Sequence, residues 1–94
     1  MNKTQYIEQL KSKLDQWNGE IDRLEAQAEL TKADIKTDVQ GKIGELKAKR
    51  NKINEHINQL QDASEDAWED IKTGADQAVN TLTETFKSVS AQFK

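Results

Sequence analysis

One histidine, four serines and two short blocks of like charge are the residues through which this 94-residue chain could do chemistry. A carboxylate-bridged metal site in a helical bundle calls for Glu-x-x-His. His56 is the only imidazole and position 53 is Ile, so no ligand set is completed. Ser12, Ser64, Ser88 and Ser90 fall at predicted caps or on helix surfaces, without the strand-turn-helix context that presents a nucleophilic serine. With no cysteine there is no thiol nucleophile, disulfide or thiolate zinc site. The expectation is a chain with no catalytic residues, no metal, no cofactor and no small-molecule substrate.

The first charge block is basic: Lys42, Lys47, Lys49, Arg50 and Lys52 against Glu45 alone. It could meet phosphate, but it lacks the interleaved aromatics of a single-strand platform and any DNA-binding module. The second is acidic: Asp62, Glu65, Asp66, Glu69 and Asp70. The preferred reading pairs the two blocks, either in a folded-back helix or between chains, and nucleic-acid binding through 42–52 is kept as a second alternative. Gly41-Lys42-Ile43-Gly44 matches a GxxG backbone clamp in form only, because such domains need strands and no segment alternates with period 2.

The elements that must carry these residues are helical. Proline is absent, and Leu, Ile, Val and Phe number 19, near the fraction at which disorder begins to be suspected. That signature also wants a large net charge, whereas 14 basic and 17 acidic residues leave only −3. A chain this lean suits helices that bury a single stripe. Ile7, Leu10, Leu14, Trp17, Ile21, Leu24 and Ala28 repeat at alternating steps of three and four, a heptad seam. The seam passes Thr31 and Ile35, stutters through Val39 and Ile43, and resumes at Leu46, Arg50, Ile53, Ile57 and Leu60. It predicts one helix over 4–60, about 85 Å long, capped by Asn2 with Gln5 or by Thr4. A glycine pair at 41 and 44 marks a weaker break, which would give three helices.

A turn is predicted at 61–65, with Asp62/Glu65 or Ser64 as cap, before a second helix over 65–92. Trp68, Ile71, Ala75, Val79, Leu82, Phe86, Val89 and Phe93 form its apolar face. No apolar run reaches membrane-spanning length, and Met1-Asn2-Lys3-Thr4-Gln5-Tyr6 does not lead into a signal-peptide core, so a cytoplasmic location is expected.

Leu14-Asp15-Gln16-Trp17-Asn18-Gly19-Glu20-Ile21-Asp22-Arg23-Leu24, then Leu46-Lys47-Ala48-Lys49-Arg50, then Ala67-Trp68-Glu69-Asp70-Ile71-Lys72 with Gly74, resemble blocks of a family of small bacterial coiled-coil proteins. The resemblance covers most of the chain. It implies an all-α, stress-associated protein without enzymatic activity. Gly41, Gly44 and Glu65 depart from the family's pattern.

The expected architecture is therefore all-α: a long coiled-coil helix and a shorter amphipathic helix, folded as a hairpin that assembles into an oligomeric bundle. Val39, Ile43, Leu46, Ile53, Ile57 and Leu60 are expected to pack on Trp68, Ile71, Val79, Leu82 and Phe86 within the hairpin. Ile7, Leu10, Leu14, Trp17, Ile21, Leu24 and Ile35 would then remain uncovered, predicting a homo-oligomer, most simply an antiparallel dimer, through that stripe. The functional expectation is a structural scaffold working by self-association as a dimer, higher oligomer or filament. The alternative is a lipid- or apolar-surface binder using 65–93, although six acids against three lysines on its polar face disfavour anionic lipid.

Overall fold

The computed structural model describes residues 2–92 and is all-helical: α1 (Lys3–Glu29), α2 (Ala33–Asp62) and α3 (Trp68–Ala91). The helices run up, down and up, with both α1 and α3 packed along α2, in a rod of 50 × 18 × 17 Å. Phe93, the last position of the predicted second stripe, lies outside the described residues.

α1 begins with a reciprocal cap. The Asn2 side chain accepts from the Gln5 N–H at 2.8 Å, and the Gln5 side chain accepts from the Asn2 N–H at 3.2 Å. Together they satisfy two of the amide donors that a helix start and its cap leave free. The long helix expected over 4–60 is broken at Leu30-Thr31-Lys32. In this turn the Leu30 and Thr31 amides donate to Gln27 and Ala28, and the Thr31 hydroxyl donates to the Gln27 carbonyl at 2.9 Å.

The cause of the break lies in the stripe. A straight helix would leave its N-terminal half in water, whereas folding back buries Ile7, Leu10, Ile21, Leu24 and Ala28 in the same core as Val39, Ile43, Leu46, Ile53, Ile57 and Leu60. Covering the first four contributes on the order of 6–12 kcal/mol gross, against about 1–2 kcal/mol of backbone entropy for each of three turn residues. Burial wins. The stripe assigned to contacts between chains is thus largely covered within one: Leu14 and Trp17 are half-buried against the core and Ile35 is exposed.

Gly41 and Gly44 lie inside α2 with no turn. Val39, Ile43 and Leu46 are buried on either side of them, and that packing holds the segment helical. The second connection spans Ala63 to Ala67, later than the expected 61–65. Neither expected cap is used by α3, whose N-cap is Ala67 without a side-chain bond: the Ser64 hydroxyl accepts from the Ala67 N–H at 3.2 Å within the turn, and Asp62 ends α2. α3 then buries Trp68, Ala75, Leu82, Phe86 and Val89 on α2, with Ile71 and Val79 packed beside them.

A Cβ placed on Gly41 or Gly44 meets nothing within 4 Å, so alanine there gains helix propensity without crowding. Gly41→Ala and Gly44→Ala are each expected to stabilise the fold by about 0.5–1 kcal/mol, additively. A higher urea midpoint at unchanged slope is the expected result, and a lower midpoint would mean that a turn forms at these positions.

Candidate functional site

Each end of the rod carries a distinct cluster. At the pole where α1 starts and α2 passes into α3, the Lys3 ammonium donates to the Ala63 carbonyl at 2.8 Å. The Tyr6 hydroxyl donates to Asp76 Oδ1 at 2.5 Å and lies 3.4 Å from the Lys72 carbonyl. The Tyr6 ring packs against Trp68, centroid to centroid at 6.1 Å, beneath the Lys72 ammonium at 5.4 Å. These contacts tie α1 to α3 directly. Burial, first, and then the hydrogen bond and charge of Asp76 push the Tyr6 phenol well above its ordinary value of 10, because each disfavours a second negative charge there.

The opposite pole holds the α1–α2 turn. Leu30 is 89% exposed and Ile35 40% exposed, the two large apolar side chains left in water among the described residues. Around them the surface is charged, with Lys36 and Glu29 paired at 3.4 Å across the turn. This pole is the candidate contact surface.

The basic block runs along the middle of the rod and does not meet the acidic block. Among the described residues, the ion pairs are Lys36–Glu29, Lys47–Glu25 and Lys72–Asp76. Antiparallel packing sets α2's basic residues beside the C-terminal half of α3 and the second half of α1. Lys42 donates to Ser88 Oγ at 3.0 Å, Lys49 to Thr85 Oγ1 at 2.6 Å, and Lys47 pairs with Glu25 at 2.9 Å. Arg50, the seam cation, donates to Asn18 Oδ1 at 3.2 Å across to α1 and to its neighbour Asn51. It borders an open groove of about 440 Å³ lined by Leu14, Asn18, Asp22, Arg50, Asn51 and Asn54. Four of the five basic side chains thus serve as bridges between helices. Asp62, Glu65, Asp66, Glu69 and Asp70 remain exposed at the far pole.

His56 is half-buried, its Cε1 3.7 Å from where a Cβ on Gly74 would stand, and its Nδ1 is buried without a hydrogen-bond partner. Among the described residues no cluster of three or more His, Cys, Asp or Glu could hold a metal, and no helix is long and apolar enough to cross a membrane. The apolar face proposed for lipid is turned into the core at Trp68, Leu82 and Phe86. Tyr6, by contrast, belongs to no predicted stripe. It sits one residue before Ile7, and its partner Asp76 is 70 positions away, so no local pattern points to it.

No family model, curated protein or solved structure matches this chain. What defines it is the fold: an up-down-up three-helix rod whose polar side chains bridge helices along its length and at one pole and whose two exposed large apolar side chains, among the described residues, lie at the other.

With the Tyr6 phenol raised, its stabilisation is fully present below about pH 10 and is lost as pH rises beyond it, where the unfolded phenol ionises first. Tyr6→Phe is expected to cost about 1–2 kcal/mol near pH 7 through loss of a charge-assisted hydrogen bond, and to flatten the alkaline fall in stability. Urea midpoints from pH 7 to 11 for both proteins test this; parallel curves would show that Tyr6 does not couple to folding.

Proposed function

We propose that this chain is a non-enzymatic structural protein that works by associating with further copies of itself, the pole at the α1–α2 turn forming the contact. The observation that carries the reading is the placement of Leu30 and Ile35, both in water and both beside one turn, on a rod whose other large apolar side chains, among the described residues, are buried or half-buried. Two such side chains fall short of the several hundred Å² that mark an obligate interface. Association of moderate affinity, growing with concentration, fits that area. The heptad spacing of α1 and α2 and the resemblance to small bacterial coiled-coil proteins support a cytoplasmic, stress-associated scaffold role of the same kind.

Sedimentation equilibrium from about ten micromolar to one millimolar protein tests it. The apparent mass is expected to climb above the 10.7 kDa of one chain, and Leu30→Lys/Ile35→Lys to weaken association by about tenfold or more, equivalent to about 1.4 kcal/mol, with helicity unchanged. A monomer at every concentration overturns the proposal.

A further inference from the structure

We propose that the associated form is made by exchange of α1. The turn at 30–32 straightens, α1 and α2 join into one continuous helix, and α1 of each copy packs on α2 and α3 of the other. The inference rests on the self-association reading above and gives it a route.

Register is the first observation. Leu24, Ala28, Thr31, Ile35 and Val39 keep three- and four-residue steps straight through the turn, so a joined helix over 3–62 presents the stripes of α1 and α2 on one side. Such a helix, about 90 Å long, cannot reach its own stripe and needs a second copy. The contacts that now hold α1, including Tyr6 with Asp76 and Asn18 with Arg50, re-form unchanged between two chains.

The turn itself is the second. It contains no glycine, no proline and no positive φ. Lys32 has φ −61° and ψ 146°: its φ is already helical, and ψ alone separates it from a helix. Leu30, at φ −94° and ψ 0°, lies in the bridge region that borders the helical one. The two helix ends that meet here each carry one charge of the wrong sign, although Asp34 lies favourably in the first turn of α2. α1 ends on Glu29 with no basic residue in its last turn, and α2 starts from Lys32 with no side-chain cap. Both charges oppose the helix dipole, and both penalties vanish when the ends fuse. Short hinge loops of this kind invite exchange between protomers. In the exchanged pair the two hinges lie side by side, which covers Leu30 and Ile35.

Ala33→Pro separates the two states. In the closed bundle residue 33 opens α2, where proline is favoured, and Lys32 already has the extended backbone that a residue before proline adopts. In the joined helix the same proline is internal and breaks it. Wild-type protein refolded at about one millimolar is expected to give a slowly dissociating species of twice the 10.7 kDa chain mass, with a maximum dimension by X-ray scattering well beyond 50 Å. Ala33→Pro is expected to keep its helicity and lower dimer formation more than about a hundredfold. A four-residue Gly-Ser-Gly-Ser insertion between Thr31 and Lys32, which leaves every packed residue in place, is expected to be equally monomeric.

Dimerisation of either folded variant at wild-type strength overturns the exchange and leaves self-association standing. If Ala33→Pro does not fold, the insertion variant decides alone. A wild-type protein that stays monomeric throughout overturns both.

Discussion

Everything in this molecule depends on α2 having enough apolar surface for two neighbours. Its buried stripe faces the groove between two partners, because Lys42, Lys49 and His56 flank it on the side that meets α3 and Lys47 and Arg50 on the side that meets α1. Val39, Ile43, Leu46, Ile53, Ile57 and Leu60 are buried together with side chains from both α1 and α3 in one core. The outer helices touch each other chiefly through Tyr6 and the residues around it. A chain that is only 34% apolar can therefore build a core by concentrating its contacts on one central helix.

Polar groups then fix how the outer helices sit. Hydrophobic stripes slide along one another at little cost, whereas Arg50 on Asn18, Lys47 on Glu25 and Lys49 on Thr85 are each satisfied at one longitudinal position. The threonines of α3 take part only sparingly. Thr73, Thr81, Thr83 and Thr85 donate their hydroxyls to carbonyls four residues back, a local bond that keeps these hydroxyls on their own helix. Thr85 alone also accepts a lysine from α2.

The helical class and the inward faces were legible from spacing, because a period near 3.5 is a local property that tertiary structure preserves. Where the long stripe folds was not. Thr31 is a single polar residue in the seam, and with neither glycine nor proline nearby the turn leaves no mark in composition; it forms because two distant stripes gain more together than the turn costs. Gly41 and Gly44 show the converse, a local weakness overridden by buried neighbours. The charge blocks misled for a related reason. Their complementarity in sequence says nothing of which half of α3 an antiparallel return lays beside 42–52. Tyr6 stayed invisible because its value depends on a carboxylate that only the third helix supplies.

An odd number of antiparallel helices has a mechanical result. The start of α1 and the end of α3 stand at opposite poles of a 50 Å rod, so tension applied between them runs along all three helices and is resisted in shear, by every layer of the core at once. A two-helix hairpin pulled at its ends would instead unzip one layer at a time. The three-helix rod therefore resists being drawn out end to end more than a hairpin of the same helices would.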